Sequence, residues 1–292
     1  MQDIWTIQKI LSWTQEYFNK HRVPESRLSA ELLLAHLLMI KRLDLYLQFE
    51  RILTPDELNQ YRGYIQRRVK FEPVQYITGQ QDFMGLSFKV TSDTLIPRPE
   101  TELLVENTLK DLEKLTIDEP RVLDVGTGCG AIAISIAYFC KSCHVTALDF
   151  SEKALQVARE NAEKMDLQNI NFIHGDGNLL HPNENERYHL VVSNPPYISE
   201  KDYQVLHPQI KDYEPREALL AGPEGTEFYE QFIATLHRIL HSKGLVLLEV
   251  GYDQLENVKE IFKKQGFTNF QSISDYQNIP RIIRVKNEQK ET

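Results

Sequence analysis

The sequence is poor in the features that mark secreted and membrane proteins. It contains three cysteines, an odd number that predicts reduced thiols rather than a disulfide framework. Its longest apolar stretch, residues 32–40, is far shorter than the ~20 residues that a membrane-spanning helix needs. The first residues have no basic leader and are not rich in Arg or Ser, so neither an export nor a transit signal is expected. We therefore expect a cytoplasmic protein that does not contact a membrane.

Basic charge is also scarce. The formal net charge is −9, and the densest basic cluster is the short stretch at residues 67–70. A protein that binds nucleic acid directly usually shows a basic stripe, so we expect no nucleic-acid partner. Residues 140–144 spell C-x-x-C-H, but the sequence offers no second Cys or His pair at the spacing that a zinc site needs. The sequence therefore predicts no metal centre.

The pattern of apolar residues divides the chain into three parts. Residues 1–73 carry helical periodicity and predict a small helical bundle. Residues 74–95 alternate apolar and polar residues and predict a β-hairpin linker. Residues 96–292 alternate strands with helices, which indicates an α/β domain with a mostly parallel, Rossmann-like sheet. The predicted strands of this domain are residues 122–125, 145–148, 170–174, 190–193 and 245–250, with an edge pair at 267–272 and 282–285.

The most informative motif is Asn194-Pro195-Pro196-Tyr197, which directly follows a predicted strand. Open α/β sheets bind ligands at the carboxyl ends of their strands, and two consecutive prolines make the turn stiff. The Asn194 side-chain oxygen and the Pro195 carbonyl can both accept hydrogen bonds from one planar –NH2 group, and Tyr197 offers a wall for that group. The motif predicts a site for an amide or an exocyclic amine; a tight turn without a ligand is the alternative.

A second motif, Gly126-Thr127-Gly128-Cys129-Gly130, lies between a predicted strand and a predicted helix. Glycines at this place let the backbone approach a ligand closely at a helix N-terminus. Together with Ala131 they also fit the loose fingerprint of nicotinamide enzymes, which remain an alternative. Asp124 argues against that alternative, because its carboxylate would lie beside a pyrophosphate, whereas it would receive an ammonium group well.

Two further carboxylates follow predicted strands. Asp149 ends the second strand of the domain, 19 residues after Gly130, and is placed to accept hydrogen bonds from both hydroxyls of a ribose. Asp176 stands beside Gly177 after the third strand, where it can reach the amino group of an adenine. Either aspartate can instead be a helix cap. A ribose carboxylate and an acidic strand end for an amino-acid moiety together describe a site for S-adenosylmethionine.

In this order the motifs resemble class I S-adenosylmethionine-dependent methyltransferases that modify an amino or amide nitrogen. Four longer segments resemble the release factor glutamine methyltransferases more specifically: residues 73–79, 95–102, 213–219 and 222–229. The segment Pro97-Arg98-Pro99-Glu100 favours this family over the ribosomal-protein glutamine methyltransferases, which share the motif at 194–197. Gly177 differs from the Trp that some members have at this position.

The resemblance implies methyl transfer from S-adenosylmethionine to N5 of the glutamine in the Gly-Gly-Gln motif of peptide chain release factors, with S-adenosylhomocysteine as product. It implies that residues 194–197 bind the glutamine, and that Asp124, residues 126–130, Asp149, Asp176, Gly177 and Asn194 hold the cofactor. We expect the helical part to recognise the release factor and the protein to be a monomer. A nucleic-acid methyltransferase that acts on adenine N6 or guanine N2 is an alternative, and so is a non-catalytic protein that keeps the fold.

Three charged residues near these motifs allow two interpretations each. Glu100 and Glu102 stand at the start of a predicted helix, where they either complement the helix dipole or form a wall of the site. Arg216 either pairs with neighbouring carboxylates or contacts the substrate. The sequence does not decide between these interpretations.

Overall fold

A computed structural model describes residues 4–177 and 187–288. Contacts divide the chain into two compact units, Met1–Gln80 with His207–Tyr213, and Gln81–Leu206 with Glu214–Thr292. Residues 74–80 of the predicted linker thus lie in the first unit and residues 81–95 in the second. In the described ranges, no helix is both long enough and apolar enough to cross a membrane.

The first unit is helical. Its helices, numbered along the whole chain, are α1 (Ile7–Lys20), α2 (Ser26–Leu38), α3 (Arg42–Leu47), α4 (Pro55–Arg68), α5 (Val74–Thr78) and, from the later segment, α10 (Pro208–Lys211). Helix α2 is apolar on nearly every side, which suits a central bundle helix, and its Leu33 and Leu34 are fully buried. Tyr61 of α4 packs against it, and its hydroxyl donates to the Ala30 carbonyl over 2.8 Å. The predicted small helical bundle is confirmed.

Residues 74–78 correct the predicted hairpin. The alternation at these residues predicted a strand, but they form helix α5 between Pro73 at its N-cap and Gly79 at its C-cap. Gly79 has φ 74°, the left-handed conformation that ends helices. An alternation this short does not separate a strand from a single helical turn. The hairpin begins after it, with β1 (Gln80–Phe83) and β2 (Leu86–Lys89).

A seven-stranded sheet forms the centre of the second unit. Its strands are β3 (Arg121–Val125), β4 (His144–Asp149), β5 (Ile170–His174), β6 (Tyr188–Ser193), β9 (Leu240–Glu249), β10 (Asn269–Ser274) and β11 (Pro280–Lys286). They lie in the order β10-β11-β9-β6-β3-β4-β5. All neighbours pair in parallel except β11, which is antiparallel to both β9 and β10. The predicted mostly parallel α/β fold with an antiparallel edge pair is confirmed.

The remaining elements of this unit cover the sheet and shape one edge of it. The helices are α6 (Pro99–Leu112), α7 (Ala131–Phe139), α8 (Glu152–Lys164), α9 (Glu200–Val205), α11 (Glu227–Ile239) and α12 (Leu255–Lys264), with a 3₁₀ turn at Arg216–Ala218. Strands β7 (Ile198–Ser199) and β8 (Leu220–Gly222) form a small parallel pair. The central strands are almost wholly apolar because both faces of a parallel sheet are covered, and Val122, Leu123 and Val191 are fully buried.

Two of the three cysteines are joined. Cys140 and Cys143 form a disulfide in the turn between α7 and β4, so the expectation of reduced thiols is wrong for this pair. An odd count leaves room for one local pair, and the two Cα atoms are 5.4 Å apart, within the usual range for a disulfide. Cys129 is free and buried.

Gly130→Ala should destabilise the second unit. Gly130 has φ 86°, and a Cβ there would lie 2.5 Å from Cδ1 of Ile134. The left-handed conformation costs an L-residue about 1–2 kcal/mol, and the close contact adds to that. We expect the free energy of unfolding in urea to fall by about 2–4 kcal/mol.

Gly126→Ala is the matched control for this change. Gly126 has φ 74°, but apart from its own two neighbours along the chain no described residue has an atom within 4 Å of the position of its Cβ. The control therefore carries the conformational cost of about 1–2 kcal/mol without the contact. Equal losses of stability in the two variants would contradict the packing argument.

Candidate active site

The sequence motifs meet where three parallel strands end. In the sheet register, Val125 at the end of β3 lies opposite Leu148 of β4 and Ser193 of β6. Strands β4 and β6 flank β3 on opposite sides, so this is the point where the direction of strand order reverses, the usual ligand position in such sheets. A cavity of about 850 Å³ opens here. Eight of the residues predicted for the site line it: Gly126, Gly128, Asp149, Asp176, Gly177, Asn194, Pro195 and Pro196.

The glycine loop presents bare backbone to this cavity. The N–H groups of Gly126 and Thr127 donate to the Leu148 carbonyl over 2.9 and 3.0 Å, which ties the loop to β4. Gly126 and Gly128 have φ 74° and 58°, and a Cβ on either would meet no described atom within 4 Å. A ligand can therefore approach the loop closely. Cys129, in contrast, is buried outside the cavity, and burial raises the pKa of its thiol to about 12, so it stays neutral.

Asp149 ends β4 and faces the cavity. Its Oδ2 accepts from the Gly128 N–H over 2.8 Å, and its Oδ1 accepts from the Ser151 N–H over 2.9 Å. Burial raises the pKa of Asp149, and these backbone donors oppose the shift. The carboxylate thus fixes the glycine loop and has lone pairs remaining for a ligand.

Asp124 lies behind the loop and is fully buried. Its Oδ2 accepts from the Thr127 hydroxyl over 2.7 Å and from the Ala133 N–H over 3.2 Å. Within the described residues its Oδ1 has no hydrogen-bond partner. Burial raises the pKa of Asp124 to about 7. A buried carboxylate oxygen without a partner is costly; Asp124 itself does not line the cavity.

At the position predicted to lie beside an adenine, the aromatic surface comes from residues that the sequence analysis did not name. Asp176 and Gly177 both line the cavity, but a Cβ at Gly177 would come within 2.5 Å of Cγ1 of Val125. Aromatic surface comes instead from Phe150 and Phe228, which also line the cavity. Phe150 is 55% exposed, unusual for a large apolar residue beside a buried strand end. Its position directly after Asp149 was the signal that sequence reasoning missed.

Only part of the Asn194–Tyr197 motif lines the cavity, and the rest packs against the core. Asn194, Pro195 and Pro196 line the cavity, whereas Tyr197 is half-buried and packs against the core of the unit. Its backbone carbonyl accepts from Gln254 Nε2 over 2.8 Å, and burial raises the pKa of its hydroxyl to about 12. The Asn194 amide donates from Nδ2 to the Thr101 hydroxyl over 3.0 Å. Its Oδ1 is thereby left for a ligand.

The structure shows what surrounds Glu100, Glu102 and Arg216, the three charged residues for which the sequence allowed two interpretations each. The Glu102 carboxylate accepts from the Met84 N–H over 2.7 Å, so it supports the hairpin. Glu100 is exposed at the start of α6. Arg216 lines the cavity and lies over the ring of Tyr203, 5.7 Å from its centroid. Of the carboxylates nearby, Glu214 pairs instead with Arg98, 2.5 Å away.

The fold and one domain match define the class of this protein. The family model described as the methyltransferase small domain matches residues 99–215. A methyltransferase from Pyrococcus furiosus superposes with a TM-score of 0.51 over 70% of this chain and 90% of that chain. At 19% identity this likeness shows the fold alone. The chain is a class I methyltransferase, an enzyme class that depends on S-adenosylmethionine.

Closer relatives narrow this class. The family model of the PrmC N-terminal domain matches residues 9–79. The release factor glutamine methyltransferase of Geobacter sulfurreducens is 38% identical over 281 residues, 96% of this chain and 96% of the relative. That of Coxiella burnetii is 41% identical over 258 residues, 88% of this chain and 90% of the relative. The chain belongs to the release factor glutamine methyltransferase family.

Proposed function

We propose that this protein methylates the side-chain amide nitrogen of the glutamine in the Gly-Gly-Gln motif of peptide chain release factors. Asn194 carries the proposal, because its amide lines the cavity and gives its N–H to Thr101. A free carbonyl oxygen at this point suits a substrate that presents an –NH2 group. Family membership supports the release factor as the protein that carries this group.

The chemical difficulty lies in the amide. Its nitrogen is a weak nucleophile because the lone pair is shared with the carbonyl. Acceptors on both hydrogens, the Asn194 side-chain oxygen and the Pro195 carbonyl, favour a pyramidal nitrogen whose lone pair is more available. Such positioning in a preorganised site can lower a barrier by several kcal/mol. No strong base is needed beforehand, since the nitrogen becomes acidic only as it gains the methyl group.

The residues around the cavity fit S-adenosylmethionine, which supplies a methyl group activated by a positively charged sulfur. The orphaned Oδ1 of Asp124 suits the ammonium of an amino-acid moiety, and Asp149 has lone pairs for ribose hydroxyls. Gly126 and Gly128 give room for close approach. Asp176 suits an adenine amine, and Phe150 and Phe228 exclude water from the ring.

Asp124→Asn should have opposite effects with and without the cofactor. Burial raises the pKa of Asp124 from its ordinary value to about 7, so the folded protein binds more protons than the unfolded chain between these two values. The free energy of unfolding therefore falls as pH rises through this window. Asparagine does not ionise, so the unliganded variant should melt at a higher temperature than wild type at about pH 8. Added S-adenosylmethionine should raise the melting temperature of wild type and not that of the variant.

Thermal unfolding at two pH values, with and without the cofactor, checks both effects. Near pH 4 the carboxyl is protonated in the folded state and only partly ionised in the unfolded chain, so most of the difference between the unliganded proteins should disappear. If the cofactor raises the melting temperature of the variant as much as that of wild type, Asp124 does not belong to the proposed binding site.

We extend the proposal to the partner protein. A single glutamine side chain offers too little surface for selection, so the helical first unit would recognise the release factor by a larger contact. The enzyme would act as a monomer in the cytoplasm, where release factors work, without direct contact to nucleic acid.

Radiolabelled S-adenosylmethionine tests the function. The protein is incubated with a recombinant bacterial release factor, beside a copy in which the glutamine of Gly-Gly-Gln is replaced. Label on the first and none on the second is the expected result. No label on either factor, with label on DNA or rRNA instead, would mean that the site holds a base rather than a glutamine.

A further inference from the structure

A buried carboxylate is connected to the cavity through one hydroxyl. Thr101, in the first turn of α6, lies with its Oγ1 2.7 Å from Oε2 of Glu249 and 3.0 Å from Nδ2 of Asn194. Glu249 is the last residue of β9. Thr101 and Glu249 are each 4% exposed and lie outside the cavity lining, whereas Asn194 belongs to it. The three side chains form a relay from the interior to the site.

Proton count decides the direction of this relay. A carboxylate can only accept hydrogen bonds, so the single hydroxyl proton of Thr101 goes to Glu249. Oγ1 of Thr101 then has only lone pairs for Asn194, and the amide must turn its –NH2 group toward it. The amide oxygen consequently faces the cavity. Shape does not set this orientation, because the oxygen and nitrogen of an amide are nearly equal in size.

We propose that ionised Glu249 acts through Thr101 to hold the Asn194 amide with its oxygen toward the substrate, which makes both of them positioning residues. The inference rests on the proposed function of Asn194 as an acceptor for the substrate amide. A protonated Glu249 offers Oγ1 of Thr101 both a donor and an acceptor, so the Thr101 hydroxyl is also able to donate to the oxygen of Asn194. The amide then no longer has one preferred orientation, and in the turned-over one its –NH2 group meets the –NH2 group of the substrate, donor against donor.

The surroundings of Glu249 bring this change of charge into an accessible pH range. Burial is the largest influence and raises the pKa of Glu249 to about 7. Five charged or titratable groups lie around it: Arg98 at the N-cap of α6, Glu100 in α6, Tyr197 after β6, Tyr229 in α11 and Arg281 in β11. The two arginines favour the ionised carboxylate, and Glu100 disfavours it. The Tyr229 hydroxyl donates to the backbone carbonyl of Glu249 over 2.8 Å, so it leaves the carboxylate to Thr101.

The sign of the pH effect follows from the relay. The productive orientation of Asn194 needs the charged carboxylate, so kcat should fall as pH drops through the pKa of Glu249. The amide substrate itself does not titrate in this range. Asp124 also titrates near this pH, but it would affect the binding of the cofactor, and a saturating concentration of cofactor removes that contribution.

Four variants separate positioning from packing. Thr101→Val keeps the shape and removes both hydrogen bonds, and Thr101→Ser keeps the hydroxyl. Glu249→Gln does not ionise and offers both a donor and an acceptor, so it selects no orientation. Thr108→Val is the matched control: Thr108 lies in the same helix, is fully buried, and gives its hydroxyl to the Leu104 carbonyl.

The measurement is kcat from about pH 6 to about pH 9 at saturating cofactor and release factor. In Thr101→Val and Glu249→Gln we expect kcat at high pH to fall about tenfold and its dependence on pH to disappear, with the cofactor Kd unchanged. Thr101→Ser and Thr108→Val should keep the wild-type profile. A Thr101→Val profile that still follows wild type would overturn the relay.

A second measurement needs no substrate. The side-chain amide protons of Asn194 give an NMR signal. It is assigned by comparison with Asn194→Ala, in which this signal is absent. This signal should shift with pH in wild type and stay constant in Thr101→Val. If the chemical shift of this signal does not change with pH in wild type, the relay is refuted, even if the protein transfers methyl groups to release factors. A titrating signal in a protein that does not label release factors would keep the relay and reject the proposed function.

Discussion

Asn194→Ala is expected to lower kcat for release factor methylation, measured at saturating cofactor, by about 10³-fold, while the fold stays nearly unchanged. The Asn194 oxygen is one of the two acceptors that would hold the hydrogens of the substrate amide. Its loss removes an interaction that matters most as the nitrogen becomes pyramidal, and removal of one such preorganised group typically costs a factor of about 10²–10³. The backbone carbonyl of Pro195 remains and should leave a low residual rate.

The measurement is single-turnover methyl transfer with labelled cofactor, together with thermal unfolding. Asn107→Ala is the control, because Asn107 also bonds from its amide, to the Leu103 carbonyl within α6, but lies outside the cavity lining. It should retain wild-type kcat. An Asn194→Ala variant with more than about a tenth of the wild-type rate would show that the acceptor role belongs elsewhere.

Asp149→Asn is expected to weaken cofactor binding by about 100-fold or more. Both carboxylate oxygens accept from backbone N–H groups, those of Gly128 and Ser151. An asparagine offers one acceptor, so its –NH2 group would face an N–H donor and displace the glycine loop. The hydrogen bonds to the ribose would also lose their charged acceptor, which is worth more than a neutral one.

Calorimetric titration with S-adenosylhomocysteine gives the affinity directly and needs no release factor. Asp166→Asn, at an exposed turn after α8, is the control and should bind as wild type does. If Asp149→Asn binds S-adenosylhomocysteine with wild-type affinity, the ribose does not bind at the end of β4.

The two strongest sequence signals came from positions where the backbone itself is unusual. Paired prolines and clustered glycines after apolar runs mark strand ends directly, so the order of residues alone places Asn194 and Gly126 at one edge of the sheet. Asp149 followed from its spacing. In each case the chain leaves a parallel strand at this point. The same turn that requires these residues also places them at the edge of the sheet.

Sequence reasoning failed where the determining contact is distant along the chain. Thr101 and Glu249 are 148 residues apart, and nothing around either residue indicates that they meet. Glu100 and Glu102 attracted interest because they are charged, yet the uncharged residue between them makes the contact with Asn194. Helix α5 was missed for a different reason, since a single turn is too short for periodicity to identify.

The packing of Gly177 against Val125 has a consequence for relatives of this protein. A Cβ at position 177 would come within 2.5 Å of a methyl group of Val125, so the two positions share one volume. A relative that carries Trp at 177 therefore needs a smaller side chain at 125 or a displaced loop. The identity of one residue restricts the other, and the two positions should change together in evolution rather than one at a time.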